Sequence, residues 1–588
     1  MTRFSQFVLS ALCVPPFANA GCLPEKVCKA FPGTPDWPSK HAWDHLNKSL
    51  GGRLLHPDPP AAACHPGWPE YDSSACEKVR VDWSSYEFHS KNPVSVIWDQ
   101  FTNYTCLPDE DYHCSAQGYP TYVVNATTPE HVKLGVDFAR KHNVRLVVKN
   151  TGHDFIGRSI APGALSIWTH HLNSIAHHEG SFKLDGCDTS ISGNAITAGA
   201  GAQIYDLYSF ADKFNETIVG GGAKSVGLGG YITGGGHSIL SPRYGLAADQ
   251  VLQMELVTPS GEIVTANEKK HADLFWAMRG GGGSTFGVLT SITVKAHPTP
   301  KILNAPWMIM TVPEFPYLFD LIAYVLSQYP SLENAGLSGY SFITSRFPNP
   351  VPSPGAPKEV AGILGQFILQ DAGDVQYLEN LVAPINQTIQ SRWPGAVQFS
   401  ASANHYDSFL EWFDDHYDQG TAGNSTYLVS RLLDKEALEG DESKLSAAVK
   451  SACGISNTLM AYIVSGKGVH NASPRGGSDS VNPGWRKAYV HAIAAHGFLP
   501  FNDTSKKEAM DALETGFEPF RKLAPDTGAY INEAYPFEDD FQHTFWGDNY
   551  ERLLSIKREA DPQDVFWCTP CVGNERWKQG HDGRLCRV

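Results

Sequence analysis

A histidine that follows a tight turn is the residue of this chain best placed to meet a bound molecule. Residues 144–149 are rich in aliphatic and β-branched side chains, as is typical of a buried strand. Asn150, Thr151 and Gly152 then end the strand in a turn whose backbone N–H groups can face an anion. His153 comes next and would lie beside a phosphate-bearing molecule held there. Taken alone, the segment is also typical of an ordinary connecting loop with a surface histidine.

A glycine-dense segment downstream favours the ligand-binding interpretation of His153 over the surface loop. Residues 220–236 include nine glycines among seventeen positions, a density that disfavours a stable helix. Bare backbone of this kind can approach a flat or phosphorylated ligand closely. A flexible linker is the alternative, but the segment lacks Ser and Pro bias and contains Val226, Leu228 and Ile232. Because no GxGxxG follows a strand here, a Rossmann-type dinucleotide site is not predicted.

The elements around His153 form a βαβ pattern. A strand at residues 121–124 precedes Thr128, the predicted helix N-cap, with Pro129 at the first helical position. The strand at residues 144–149 follows, and such units commonly bind ligands at the carboxyl ends of their strands. Further predicted elements are strands at 195–198, 217–219 and 292–294, a hairpin of strands at 251–257 and 262–265, and helices at 203–214 and 271–278.

Beyond Pro298 and Pro300 the pattern changes to strands that alternate with amphipathic helices, which indicates a second α+β domain. The Pro-rich residues 349–357 are a candidate insertion or lid. The predicted strands are residues 307–312, 336–343, 360–369, 426–433, 458–464 and 488–494. The predicted helices are residues 314–328, 374–389, 441–451 and 504–523.

The length and charge of the chain limit its class. A chain of 588 residues is too long for one ordinary domain. Residues 1–20 are typical of a secretory signal peptide, and no other apolar run is long enough to span a bilayer. Its net charge is −16, or −17 without Arg3 of the leader (45 basic against 62 acidic residues). This acidic balance argues against nucleic acid or an anionic membrane as the main partner.

Cysteines and glycosylation sequons agree with export. Eleven cysteines remain after the leader; most should form disulfides clustered at the two chain ends, and the odd count leaves at least one thiol free. Cys568 and Cys571 could hold a metal or act in redox chemistry, but a disulfide is favoured, and no metal site is predicted. Eight Asn-x-Ser/Thr sequons predict N-glycans: Asn47, Asn103, Asn125, Asn215, Asn386, Asn424, Asn471 and Asn502.

Together these segments resemble the berberine-bridge-enzyme-like flavoproteins of the vanillyl-alcohol oxidase superfamily, most closely their secreted fungal members. The resemblance covers most of residues 117–300 and 528–577. The matching segments are residues 149–153 with Gly157, 226–230, 234–236, 244–249 and 274–283 with Phe286 and Gly287, followed by 530–533, 545–550, Arg552, Leu553, Lys557, Asp561 and Pro562.

The resemblance implies an α+β fold: a two-lobed FAD-binding domain of the PCMH type and a substrate domain whose antiparallel sheet is backed by helices. The expected divisions are a signal peptide at 1–20, a disulfide-rich segment at 21–116, the FAD-binding domain at 117–300, the substrate domain at 301–527 and a C-terminal segment at 528–588. That last segment returns to the FAD-binding domain if its cysteines pair with N-terminal ones.

The resemblance also implies the cofactor, FAD, joined covalently through His153 to the 8α-methyl carbon of the flavin. Relatives with two links carry a cysteine at the position of Ala223, so a single link is expected here. Val226 stands where a small residue favours reaction with oxygen. The cofactor-binding residues implied are Lys149, Asn150, Thr151, Gly152, His153, Asp154, Gly157, Ser159, Val226, Gly227, Gly229, Gly230, Gly234, Gly235, Gly236, Tyr244, Asp249, Val251 and Asn532.

Tyr530 and Asn532 match the Tyr-x-Asn of the resembled family, whose residues border the reactive face of the flavin; this implies Tyr530 as catalytic acceptor or polariser of the substrate proton, with Glu533 beside it. Tyr530 as a packed aromatic residue is the alternative. His237 is more typical of a structural residue, and His405, Tyr462 and His491 show no distinguishing pattern.

The expected function is a secreted FAD-dependent oxidase that transfers hydride from a small alcohol or secondary-metabolite intermediate to flavin, while O2 becomes H2O2. The alternatives are an oligosaccharide oxidase, a flavin dehydrogenase with a non-oxygen acceptor, and a non-catalytic carbohydrate-binding glycoprotein.

Overall fold

The strand that leads to His153 lies in a four-stranded sheet. The computed structural model of the chain describes residues 27–352, 354–372 and 374–588, so the predicted signal peptide lies outside the described residues. The sheet has the strand order Leu54–Leu55, Tyr122–Asn125, Leu165–Trp168 and Leu146–Lys149. The last three strands are parallel, and Leu165–Trp168 separates the two strands of the predicted βαβ unit. That unit is therefore confirmed, with a third strand inserted in the sheet.

The helix of this unit forms for the reasons visible in the sequence. It spans Pro129–His142, and the hydroxyl of Thr128 accepts a hydrogen bond from the backbone of His131 at its N-terminus. Its buried face consists of Val132, Gly135, Val136, Phe138 and Ala139. Because these residues recur at helical spacing, the helix packs on the sheet and holds the carboxyl end of Leu146–Lys149 in place.

A second, antiparallel sheet completes the FAD-binding region. Its strand order is Ile263–Asn267, Val251–Val257, Val288–Lys295, Ala195–Gly199 and Ile175–His178, and the predicted hairpin is present. Two short pairs, Glu216–Thr217 with His297–Pro298 and Ser181–Lys183 with Ser190–Ser192, lie outside it. The helices here are Ile204–Asp212, Leu228–Thr233, Ser241–Tyr244 and Ala272–Ala277.

One expectation about the glycine-dense segment was wrong. Its centre, Leu228–Thr233, forms a short helix in which Leu228 and Ile232 are buried. Tertiary packing of these two apolar side chains offsets the low helix propensity of the glycines beside them.

The N-terminal segment contains little regular secondary structure and is stabilised by disulfides. Its helices are Lys40–Ser49, Ser73–Asp82 and Tyr86–Lys91. Cys64–Cys76 and Cys106–Cys114 close small loops. Trp83 and Val94 pack in one cluster with Trp168 of the four-stranded sheet, so this segment covers the region that carries His153.

A nine-stranded antiparallel sheet forms the other half of the molecule. Along the main path its strands are Gln398–Ala401, Trp307–Thr311, Glu359–Gln370, Leu337–Pro348, Thr458–Ile463, Ala488–Gly497 and Thr426–Asp434, with Ile302–Asn304 and Asn404–Tyr406 at one side. The helices are Leu318–Ser327, Tyr329–Asn334, Val375–Arg392, Phe409–His416, Lys435–Glu439, Glu442–Ser456, Lys467–His470 and Asp503–Leu523. The strands and helices predicted for this region are all present, and the Pro-rich residues lie in the sequence between the two longest strands.

The two faces of this sheet differ because successive side chains of a strand point in opposite directions. On strand Ala488–Gly497, Val490, Ala492 and Ala494 belong to the core shared with the helices. The intervening Ile493 and Ala495 line a cavity on the other face. The helical layer therefore fixes the sheet, while the opposite face is left for a ligand.

The C-terminal segment returns to the FAD-binding region. Its helices are Phe541–Trp546 and Tyr550–Ala560, and its strands are Trp577–Gln579 and Leu585–Arg587. A disulfide joins Cys28 to Cys586, as expected if the tail pairs with the N-terminal segment. Cys568 and Cys571 also form a disulfide, and among the described residues Cys187 and Cys453 are outside any disulfide.

Strand pairing changes between Pro298, which pairs within the FAD-binding region, and Ile302, which joins the large sheet. The numerical domain boundaries stay a prediction. Within residues 27–588, as far as they are described, we find no helix with the length and apolar character needed to cross a bilayer.

Candidate active site

A cavity of about 820 Å³ lies between the FAD-binding region and the open face of the large sheet. Most of the predicted site residues line it: Asn150, Thr151, Gly152, His153, Asp154, Ser159, Val226, Gly227, Gly229, Gly230, Tyr530, Asn532 and Glu533. The sheet contributes a largely aromatic wall with Tyr340, Phe342, Gln366, Met460, Tyr462 and Ile493. Both predicted segments, more than sixty residues apart in sequence, therefore meet in one space.

His153 faces this cavity from the turn after strand Leu146–Lys149. Its Nε2 lies 2.7 Å from the hydroxyl of Ser225, and among the described residues its Nδ1 has no hydrogen-bond partner. The ring of Tyr86 packs against it edge-on, with 4.8 Å between ring centroids. Burial, followed by the charges of His89 and Lys149, lowers the pKa of His153 to about 3. The imidazole is thus neutral, and its free nitrogen is a nucleophile.

The backbone around His153 suits a flat, phosphorylated cofactor. A Cβ on Gly227 would lie 2.4 Å from the side-chain amide of Asn150, whereas one on Gly230 would meet nothing within 4 Å and would enter open space. The buried Oδ1 of Asn150 and Nη1 of Arg158 have no partner within the described part of the chain. Bare peptide groups together with an unpaired acceptor and donor fit FAD, which offers both phosphates and ring amides.

A buried hydrogen-bond chain connects the two ends of the site. Arg158 Nε donates to Asp154 at 3.0 Å, and its Nη2 donates to Asn532 Oδ1 at 2.9 Å. Since Oδ1 of Asn532 accepts, its Nδ2 must donate, and it does so to Gly230 O at 3.2 Å and to the Tyr530 hydroxyl at 2.9 Å. The side chains of Arg158 and Asp154 are 7% and 11% exposed, so this ion pair is sheltered from solvent.

Tyr530 is held as a hydrogen-bond donor. Its hydroxyl oxygen accepts from Asn532 and from the backbone N–H of Gly236, 3.2 Å away. Burial and then the charge of Glu533 raise the pKa of Tyr530 well above its ordinary value, although both hydrogen bonds oppose this. The hydroxyl therefore keeps its proton and can donate a hydrogen bond to a group in the cavity.

Glu533 is a carboxylate that borders the cavity beside Tyr530. Its side chain is 23% exposed, and it accepts hydrogen bonds from His237 Nε2 at 3.1 Å and from His491 Nε2 at 3.0 Å. Burial raises the pKa of Glu533. Electrostatic attraction to the two histidines and their hydrogen bonds outweigh this effect, so the pKa lies well below its usual range. Burial also lowers the pKa of His491. An ionised carboxylate thus borders the cavity beside the Tyr530 hydroxyl.

Eight predicted cofactor residues do not line the cavity. Lys149 points away from it and donates to the carbonyls of His89 and Asn92 at 3.1 and 2.8 Å. Asp249 binds Arg486 at 2.8 Å and the backbone of Leu246. The others are Gly157, Gly234, Gly235, Gly236, Tyr244 and Val251, which support the turns and strands around it.

Several residues of the site were not selected from the sequence, among them Arg158 and Ser225. His237 follows the glycine triplet and lines the cavity, and His491 is fully buried behind Glu533. Asp418 and Tyr462 line the cavity from the second half of the chain. Only His237 carried a local signal, its position after three glycines. Strand register places Tyr462 and His491, and Asp418 lies in the loop after helix Phe409–His416.

Comparison with known proteins agrees with this geometry. Two family models match: FAD binding domain at residues 120–267, and Berberine and berberine like at residues 529–572. FAD-linked oxidoreductase patO of Aspergillus clavatus is 34% identical over 99% of this chain and 98% of its own. VAO-type flavoprotein oxidase VAO615 of Thermothelomyces thermophilus is 32% identical over 95% of both chains.

Solved structures extend the comparison. VAO-type flavoprotein MtVAO713 of Myceliophthora thermophila C1 is 29% identical, with a TM-score of 0.86 over 96% of this chain and 100% of the other. Glucooligosaccharide oxidase of Acremonium strictum is 18% identical, with a TM-score of 0.60 over 78% and 93% of the two chains, and shares the fold. These matches and the cavity agree: the chain is an FAD-dependent oxidoreductase that belongs to the berberine-bridge-enzyme-like family of VAO-type flavoproteins.

Proposed function

We propose that this protein is a secreted, glycosylated oxidase that acts on alcohols and carries FAD through one covalent bond to His153. The observation that carries the proposal is that a neutral imidazole, a tyrosine hydroxyl and an ionised carboxylate share one cavity. FAD, held by the turn at His153 and by Gly227, Gly229 and Gly230, would supply the two-electron chemistry: acceptance of a hydride from the alcohol carbon, then transfer of two electrons and two protons to O2 to give H2O2.

The side chains divide the proton chemistry between them. The Tyr530 hydroxyl donates a hydrogen bond to the substrate oxygen, because its own oxygen already accepts two. The Glu533 carboxylate accepts the hydroxyl proton as hydride leaves the carbon, since it is ionised and 23% exposed, whereas Asp154 is paired with Arg158. His153 Nδ1 provides the covalent bond, and Ser225 fixes the imidazole by holding Nε2.

A single link is proposed because Ala223 lines the cavity at the position of the second attachment in doubly linked relatives. Among the described cysteines none lines the cavity. Val226 also lines it with a small side chain, which supports oxygen as the acceptor rather than the dehydrogenase alternative.

The wall of the substrate side supports a small, uncharged aromatic alcohol or biosynthetic intermediate. Tyr340, Phe342 and Tyr462 present ring faces and edges, on which planar molecules pack favourably. Arg158 is the one Lys or Arg side chain in the described lining, and it is paired with Asp154, so anionic substrates lack a partner. An oligosaccharide oxidase is the alternative, and its substrate would have to stack on the same rings.

Export is supported by the four disulfides and by the eight sequon asparagines, all of which are at least partly exposed. The test is expression of the whole chain in a secreting fungal host. We expect a yellow glycoprotein in the medium whose colour stays with the acid-precipitated protein. It should consume O2 and release H2O2 with benzyl or cinnamyl alcohol. A colourless protein, or turnover only with an artificial electron acceptor, would contradict the proposal.

A further inference from the structure

We propose that His237 and His491 form a two-histidine clamp that keeps Glu533 ionised and directed into the cavity, so that proton acceptance from the substrate continues in acid. The inference rests on the proposed function of Glu533 and assigns positioning roles to two residues behind it. Neither histidine was selected by its sequence pattern, and each comes from a separate part of the fold.

Three elements bring the clamp together. His237 follows Gly236 in the FAD-binding region, His491 lies on strand Ala488–Gly497 of the large sheet, and Glu533 lies in the returning C-terminal segment. His237 Nε2 is 3.1 Å from both carboxylate oxygens, and His491 Nε2 is 3.0 Å from Oε2. The rotation of the carboxylate is thereby restricted from both sides, because each oxygen has an N–H donor.

The unpaired Nδ1 atoms indicate which ring nitrogen of each histidine carries a proton. Nδ1 of His237 and Nδ1 of His491 are both buried without a hydrogen-bond partner among the described residues. A proton on either Nδ1 would leave a buried N–H without an acceptor, which is costly. Each imidazole therefore carries a proton on Nε2, and this N–H donates to Glu533. The carboxylate receives two donors while its negative charge is left to accept a proton.

The other groups around Glu533 make this clamp necessary. Tyr231, Tyr340, Tyr462 and Tyr530 all interact with its charge, and they supply no positive charge. Burial raises the pKa of Asp418, and repulsion by the charge of Glu533 raises it further. Burial acts on Glu533 in the same direction. Without the two donors this carboxyl would hold its proton at higher pH and would fail as an acceptor.

A divalent cation is the other occupant to consider, since the three ligand atoms lie within 4.8 Å of one another. Histidines that bind metals almost always donate their second ring N–H to a carboxylate or carbonyl. Here both second nitrogens lack such a partner. The direct N–H···O contacts therefore describe a hydrogen-bonded clamp. One equivalent of tightly held divalent metal per chain of purified holoenzyme, by elemental analysis, would overturn this proposal.

The first test needs no substrate, so it is independent of the proposed activity. Infrared difference spectra of the holoenzyme between about pH 4 and pH 7 report protonated carboxyl groups. Subtracting the Glu533→Gln spectrum from the wild-type spectrum at about pH 5 should leave an ionised-carboxylate band. A protonated-carboxyl band there would overturn the proposal, even if the His variants fail to fold. Asp418→Asn removes the contribution of the neighbouring acid.

The second test measures flavin reduction by benzyl alcohol against pH. In His491→Phe the acidic limb should move upward by about 1–3 pH units, because the carboxyl loses a donor in a buried site. His491→Gln, whose amide can donate from nearly the same place, should restore the limb towards its wild-type position. His496→Phe, on the same strand but outside the clamp, is the matched control. Equal loss of rate at every pH in His491→Phe, with no shift of the limb, would overturn the clamp.

Discussion

The side-chain amide of Asn532 donates a hydrogen bond to the Tyr530 hydroxyl across 2.9 Å. With the N–H of Gly236 on its other side, Tyr530 has two donors directed at its oxygen, and its O–H can donate a hydrogen bond into the cavity. This relationship separates the roles of two neighbouring residues, since Tyr530 donates and Glu533 accepts.

Replacing Tyr530 with Phe removes one hydrogen-bond donor from the reacting oxygen. We expect kcat for benzyl alcohol to fall by about 10²-fold, as when one donor to a developing charge is removed. The acidic limb of the rate profile should stay in place, because Glu533 is untouched. Steady-state oxygen consumption against pH measures both. Tyr489→Phe, half-buried and outside the cavity, is the control; a shifted limb in Tyr530→Phe would show that the tyrosine itself titrates in the reaction.

His153→Ala should abolish covalent attachment while the cavity still binds FAD, because the backbone turns and Asn150 remain. The measurement is flavin absorbance in the pellet after acid precipitation, together with the intact mass of the protein. Ser225→Ala should slow attachment, since Nε2 loses the contact that fixes the imidazole. Ser260→Ala, in an exposed hairpin turn, is the control. Covalent flavin in His153→Ala would place the link elsewhere.

Val226 is expected to govern the reaction with oxygen. Val226→Ile adds a methyl group in the cavity, and reoxidation by O2 should slow by about tenfold, an increase in barrier of about 1.4 kcal/mol. Anaerobic reduction by substrate should change little. Stopped-flow spectroscopy separates the two half-reactions, with Val264→Ile, away from the cavity, as the control. Equal slowing of both half-reactions would indicate a general disturbance of the site.

Lys557 is expected to be a stability residue of the returning C-terminal segment. Its side chain is 4% exposed, and its ammonium donates to Asp561 at 2.6 Å and to the carbonyls of Thr285 and Phe566, both at 2.8 Å. Lys557→Met leaves Asp561 buried without its partner and should lower the free energy of unfolding by about 3–5 kcal/mol.

Chemical unfolding of the holoenzyme measures this loss. The exposed Lys578→Met is the matched control and should lie within about 0.5 kcal/mol of wild type. A loss of similar size in both variants would show that the buried ion pair has no special role.

Local patterns in the sequence were sufficient to predict most helices and strands and the part of the site around His153. The helix after Thr128 and the strands of the second half formed as predicted, because period and capping are properties of neighbouring residues. The turn at His153 could be located for the same reason. The short helix Leu228–Thr233 was missed, since buried Leu228 and Ile232 outweigh the glycines around them.

Tertiary structure alone decided the partners of Glu533. His237 lies more than two hundred residues before His491 and Glu533 in the sequence. No motif or regular spacing connects the three residues. Their meeting depends on the register that puts His491 on the open face of the sheet and on the return of the C-terminal segment to the FAD-binding region. A one-residue slip of that strand would turn His491 towards the helices, because alternate side chains face opposite sides.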